Sequence, residues 1–179
     1  MKSLNNNSQN KFIKECIFTS LMILMEKNKF KDISITDITN KAGVSRMAYY
    51  RNYKSKEEII TNYIDELFTE YKNEISICEK SDNYRKLCLF FAYFRNQEKL
   101  VINLNNSNLN YILLEKLDKC LYLLFENFYC EKNHPPEIAK HYINLMAGGL
   151  YKVVIEWIKG GMVESNERMA EIILGFAKK

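Results

Sequence analysis

Apolar residues recur every three to four positions along nearly the whole chain, and very little interrupts them. Near the start they fall at Phe12, Ile13, Cys16, Ile17, Leu21, Leu24 and Met25. Near the end they fall at Ile138, Ala139, Tyr142, Met146, Leu150, Val153, Val154, Trp157 and Ile158. This i, i+3, i+4 spacing is that of one helix face. Only six glycines and two prolines stand among 179 residues, too few to punctuate a sheet of many short strands. No segment alternates with the period of two that a half-buried strand requires. The expectation is an all-α fold of about nine helices. With 47% apolar residues the chain has enough material for a substantial core.

Capping residues divide the pattern. Residues 1–9 are polar and Asn-rich, as a frayed end would be, and a first helix is predicted from Lys11 to about Glu26. Ser34 and Asp37 have N-cap and N3 spacing ahead of a short helix reaching about Lys41. Ala42-Gly43-Val44 makes the turn, with glycine where a helix must end abruptly. Ser45 caps a helix from Arg46 to about Asn52. Ser55 and Glu58 form a second capping box, opening a long helix to about Ile77. Further helices are predicted from Ser81 or Asp82, over Glu98–Leu104, and from Leu109 through Phe128, with the Asn-rich stretch 103–110 as a turn. His134-Pro135-Pro136 is a hard break that starts a helix lasting until Gly160-Gly161. Ser165 caps the last one.

Charge is unevenly placed. Residues 1–60 carry 11 Lys/Arg against 6 Asp/Glu, and the remainder 15 against 16. A basic first third on a near-neutral body points to a polyanionic partner for that third alone. The five cysteines, Cys16, Cys78, Cys88, Cys120 and Cys130, are odd in number and contain no C-x-x-C pair. Buried reduced thiols are expected, as in a cytoplasmic protein. No apolar run reaches the roughly 18 residues of a membrane span, and the start lacks the apolar core of a signal peptide. Cys130 with His134, and Glu137 with His141, are only loosely ligand-like, whereas a zinc site wants four ligands in paired spacings. No phosphate-binding Gly-rich loop, nucleophile elbow or paired-carboxylate motif occurs. Neither a metal, a cofactor nor an enzymatic activity is expected.

The informative stretch is residues 34–58, SITDITNKAGVSRMAYYRNYKSKEE. Two short helices around a tight turn make a helix-turn-helix. Ile35, Ile38 and Ala42 face inward on the first, and Val44 plugs the hinge. Ala48, Tyr49 and Tyr53 include the inward positions of the second, leaving Arg46, Met47 and Arg51 outward. With Ala42-Gly43-Val44-Ser45, the pair Tyr49-Tyr50 and Lys54-Ser55-Lys56-Glu57-Glu58, this stretch resembles the DNA-binding domain of the TetR family of transcriptional regulators. The resemblance covers about residues 10–65.

It implies a three-helix DNA-binding domain over residues 1–54, with the helix-turn-helix at about 34–53, and a helical regulatory and dimerisation domain over 55–179. It implies a homodimer on a palindromic operator in double-stranded DNA, most simply a repressor released by a small-molecule effector. By the same resemblance Tyr50 and Lys56 bind phosphates, and Thr36 touches backbone or base. Ser45, Arg46 and Met47 sit where family members read base edges, Arg46 facing a guanine and Met47 a thymine methyl. Arg51 and Lys54 join the DNA contacts or remain solvated charges. Position 52 departs from the family: many members have histidine there, and this chain has Asn52.

The last two long helices, about 136–159 and 165–177, are the family's dimerisation elements. Leu150, Val153, Val154, Trp157, Ile173 and Phe176 are the interface candidates, and Gly148-Gly149 would permit close backbone approach. Tyr93, Phe94, Tyr111, Tyr122 and Phe125 are candidates to line an effector pocket, with ordinary aromatic core as the competing reading. Residues 148–173 also resemble members related to the dihydroxyacetone kinase operon activator. Two alternatives therefore stand beside the repressor: an activator working through a partner protein, and a helical interaction protein.

Overall fold

The computed structural model describes residues 2–79, 81–118, 121 and 136–177, and every described regular element is helical. The helices are α1 (Lys2–Met25), α2 (Ile35–Ala42), α3 (Arg46–Asn52), α4 (Lys56–Ser76), α5 (Asn83–Asn96) and α6 (Glu98–Asn106). They continue with α7 over residues 110–118, α8 (Pro136–Lys159) and α9 (Asn166–Ala177). A short 3-10 turn, Phe30–Asp32, stands between α1 and α2. The chain forms two compact units, Met1–Asp65 and Glu66–Lys179, and the boundary falls inside α4.

In the first unit α1 packs on both α2 and α3. Its apolar stripe supplies Ile17, Leu21 and Met25, all buried, and these meet a layer that includes Phe30, Ile33, Ile38, Tyr49, Tyr53, Ile59, Ile60 and Ile64. Burying one such side chain stabilises the fold by about 1.5–3 kcal/mol. A core of this size holds together helices as short as α2 and α3, which would not persist alone. The rings of Phe18 and Tyr63 stack with centroids 3.5 Å apart.

In the second unit α5 lies along α9 and also meets α6 and α8, and α6 meets α8. Leu87, Phe90, Phe91 and Phe94 of α5 are buried together with Leu150, Val154, Trp157 and Ile158 of α8 and Met169, Ala170 and Ile173 of α9. The turn between α8 and α9 is tied down by one side chain. The Arg95 guanidinium donates to the Met162 carbonyl at 3.1 Å, to the Glu164 carbonyl at 2.7 Å and to Asn166 Oδ1 at 3.0 Å. It also lies 4.8 Å from the Trp157 ring centroid, and Trp157 Nε1 donates to the same Glu164 carbonyl.

Three expectations need correction. α1 begins at Lys2, nine residues ahead of the predicted start at Lys11. The turn Phe30–Asp32 has no counterpart in the predicted elements. The Asn-rich stretch is mostly helix: α6 runs through Asn106, because Asn103 and Leu104 are buried, and the turn shrinks to Ser107–Asn108. Asn108 takes a left-handed φ of 57° there, which asparagine tolerates better than most residues. Gly148 and Gly149 are exposed, and a Cβ at either would meet nothing within 4 Å. The boundaries of α3, α8 and α9 agree with the capping signals.

Candidate nucleic-acid interface

The local geometry of α2 and α3 follows from their caps. Ser34 Oγ accepts from the Asp37 amide at 3.1 Å, and the Asp37 carboxylate accepts from the Ser34 amide at 2.9 Å, a complete capping box. The Ser34 hydroxyl also donates to the Asp37 carboxylate at 2.6 Å, and this bond, together with that from the Ser34 amide, holds the Asp37 carboxyl below its ordinary value. α2 ends at Gly43, which adopts φ 65° and ψ 29° and donates its amide to Asn40 and Thr39 carbonyls. Two residues later Ser45 Oγ accepts from the Ala48 amide at 3.1 Å and starts α3. The box at the head of α4 differs from the expected form. Ser55 Oγ accepts from the Glu58 amide at 3.2 Å, but the Glu58 carboxylate reaches the amide of Lys54, one residue upstream of the cap.

α3 has two unlike faces. Tyr49 is fully buried and Tyr53 nearly so, and their rings sit 6.0 Å apart as the anchor of the helix. Burial pushes the Tyr49 phenol up to about 12, and its hydroxyl has no hydrogen-bond partner among the described residues. On the opposite side Arg46, Met47, Tyr50 and Arg51 are exposed. Positions i, i+1, i+4 and i+5 share one helix face, so these four form one outward row. Met47 is 75% exposed and Tyr50 51%. The Arg46 guanidinium lies 6.0 Å from the Tyr50 ring centroid, with Nη2 3.5 Å from the Tyr50 hydroxyl. No acidic residue occurs in α3, so the row carries two cations and no anion. It presents two guanidinium groups, a phenol hydroxyl and a thioether to solvent, a donor-rich set suited to base edges and phosphates.

The remaining predicted contacts divide. Thr36 and Lys54 are exposed, and Ser45 is exposed with its hydroxyl used by the cap. Asn52 turns back on its own helix, donating Nδ2 to the Ala48 carbonyl at 2.9 Å. Lys56 does not join the row. Its ammonium donates to the backbone carbonyls of Phe30, Lys31 and Ile33.

The second-unit candidates are also redistributed. Leu150, Val154, Trp157 and Ile173 are buried within their own chain. Of the six interface candidates, Val153 is half-buried and Phe176 is 71% exposed. Leu145, which the periodic pattern did not single out, is 72% exposed on α8. Tyr93 donates its hydroxyl to Glu74 at 2.8 Å, and burial pushes its phenol up to about 12. Phe94 packs on Phe90 with centroids 4.7 Å apart, and Tyr111 is exposed. Tyr122 and Phe125 lie outside the described residues, as do Cys130 and His134. Cys16, Cys78 and Cys88 carry free thiols. Among the described residues no three metal-type ligands cluster, and no helix is long and apolar enough to cross a membrane.

Comparison with known proteins places this geometry. A TetR-type family model, the transcriptional regulator C-terminal region, matches residues 81–179. The HTH-type transcriptional regulator YxbF of Bacillus subtilis (strain 168) is 30% identical over 64 residues, which is 36% of this chain and 17% of that protein. The chain thus matches only a small part of that relative's length. Among solved structures, a TetR transcriptional regulator from Streptococcus agalactiae 2603V superposes with a TM-score of 0.71 at 17% identity, covering 98% of both chains. The dihydroxyacetone kinase operon activator DhaS superposes with a TM-score of 0.66 at 18% identity, covering 92% of this chain and 93% of that one. These likenesses concern the fold.

Proposed function

The chain belongs to the TetR family of transcriptional regulators, and on that premise we propose that it is a homodimeric repressor. It binds a palindromic operator through α3 and is released by a small-molecule effector. The DNA-binding domain is assigned to residues 1–54 and the regulatory and dimerisation domain to 55–179. The observation that carries the reading is the outward row Arg46, Met47, Tyr50 and Arg51 on a short capped helix whose other face is buried. Arg46 reads a guanine edge and Met47 a thymine methyl, while Tyr50, Arg51 and Lys54 hold phosphates. Thr36 and Ser45 flank this row and contact the backbone. One recognition helix spans only a few base pairs, so two are needed about 34 Å apart along the groove. Phe176 and Leu145 are the apolar side chains offered to the second copy. On this reading the protein works in the cytoplasm.

Selection from randomised duplexes, followed by a salt titration on the selected site, tests the reading. The expected product is a palindrome whose affinity falls steeply with salt as counterions are released. Arg46→Ala should cost about 1–3 kcal/mol on that site and relax the preference at one position of each half. A chain that selects no sequence, or an Arg46→Ala variant with unaltered preference, rejects it. The likeness to an operon activator supports a second reading, activation through a partner protein. A reporter placed behind the selected site decides the sign.

A further inference from the structure

Arg95 stands in the last turn of α5, and its guanidinium holds a segment far along the sequence. Nε donates to Asn166 Oδ1 at 3.0 Å, Nη1 to the Met162 carbonyl at 3.1 Å and Nη2 to the Glu164 carbonyl at 2.7 Å, across 67 to 71 residues. The guanidinium carbon also stands 4.8 Å from the centroid of the Trp157 ring, and the Trp157 indole donates to the same Glu164 carbonyl at 3.2 Å. A planar fork of fixed donors sets direction as well as distance.

The segment so held joins α8 to α9. At the end of α8 the Gly161 amide donates to the Ile158 carbonyl at 3.0 Å and the Met162 amide to the Trp157 carbonyl at 2.9 Å. Met162 then takes φ 52°, left-handed backbone that a residue with a Cβ keeps only where its surroundings impose it. Arg95 grips the carbonyl of that same residue and, through Asn166, the first residue of α9. α8 and α9 each pack on α5. One side chain of α5 therefore fixes both where α8 stops and where α9 starts.

A small tilt at this turn grows with distance. At about 1.5 Å of rise per residue, Leu145 stands about 21 Å from the end of α8 at Lys159, and Phe176 about 15 Å from the start of α9 at Asn166. Both are exposed apolar side chains. A tilt of about 5° moves groups at that reach by about 1.5 Å, and a gap of about 1 Å already forfeits up to about half of a dispersion contact.

We propose that Arg95 is a positioning residue for dimerisation: it sets the angle at which α8 and α9 offer Leu145 and Phe176 to a second copy. This rests on the reading of the chain as a homodimer formed through those two helices.

The test uses the full chain. Sedimentation equilibrium, run well below every variant's melting temperature, gives the dimer dissociation constant. Acrylamide quenching of Trp157, the one tryptophan of the chain, reports on the turn in the folded, diluted monomer. Arg95→Lys keeps the charge and loses the fork. It should raise the dissociation constant by about tenfold and leave Trp157 easier to quench. Asn166→Ala removes one of the three bonds and should shift both readings the same way by less. Tyr71→Phe deletes a bond between α4 and α5, from the Tyr71 hydroxyl to the Lys86 carbonyl. It should lower the melting temperature and leave the dissociation constant at the wild-type value. A wild-type constant in Arg95→Lys overturns the proposal, as does unchanged quenching. A constant raised as far in Tyr71→Phe overturns it too, because lost stability alone would then explain the effect. If Arg95→Lys does not fold, Asn166→Ala decides, and a wild-type constant there overturns the proposal. A wild-type chain that stays monomeric, or a Phe176→Ser chain that dimerises like wild type, sinks instead the reading of α8 and α9 as the dimer helices, and this inference with it.

Discussion

Replacing Gly43 by alanine isolates a single energetic effect. Gly43 ends α2 at φ 65°, and a Cβ built there meets nothing within 4 Å. Alanine keeps the backbone amide, so the hydrogen bonds to the Asn40 and Thr39 carbonyls survive, as does the neighbouring bond from the Val44 amide to Thr39. With no clash and no lost bond, the remaining effect is the steric preference of an L residue against left-handed backbone. That costs about 1–2 kcal/mol. For a chain of this size the melting temperature should fall by roughly 2–8 °C. Asparagine, which enters the left-handed region more readily, should lose less, and β-branched valine more. Urea unfolding followed by circular dichroism measures the series. The midpoint should move while the slope with denaturant stays constant. An alanine variant as stable as wild type would refute the reasoning, and so would asparagine and alanine variants that are equally destabilised.

Two further outcomes follow from buried groups. Tyr49→Phe removes a buried hydroxyl that has no partner among the described residues and should stabilise the chain by about 1 kcal/mol. The Tyr49 phenol is raised from 10.0 to about 12 in the folded chain, so its contribution is complete below pH 10 and is lost as pH rises toward 12. The phenylalanine variant should lack this share of the alkaline loss, and urea melts at pH 9 and pH 11 on both proteins test it. A Tyr49→Phe chain less stable than wild type at pH 9 contradicts the unpartnered hydroxyl. Arg95→Met removes three hydrogen bonds and the contact with Trp157, a loss of about 2–3 kcal/mol. Arg95→Lys should recover little of it, because one ammonium cannot reproduce a planar fork. Thermal melts in which the lysine variant matches wild type would show that charge alone suffices.

What could be read from the chain was whatever depends on near neighbours. Ser34 with Asp37, Gly43 and Ser45 act within four residues of themselves, so α2, the turn and α3 were legible to within about a residue. Pro136 and Gly160 bracketed α8 for the same reason. The fate of Lys56 was not legible, because its partners lie more than 20 residues away and a lysine in sequence looks solvated. The one available hint was Phe30, a lone aromatic within Lys29-Phe30-Lys31-Asp32. The stretch 103–110 misled because asparagine favours turns, while burial of Asn103 and Leu104 held the helix. Apolar periodicity on α8 could not separate a face covered by its own chain from one left for a partner. Leu150, Val154 and Trp157 proved to be covered by their own chain and Leu145 exposed.

The division of α3 into an anchoring side and a bare side separates two properties that usually constrain one another. Tyr49 and Tyr53 tether the helix, while Arg46, Met47 and Arg51 protrude from it without supporting the core. Exchanges at those three positions should therefore leave the melting temperature almost unchanged, since surface substitutions rarely exceed about 0.5 kcal/mol. A lineage carrying this scaffold is then free to drift toward new target sites through single replacements, with no intermediate that fails to fold.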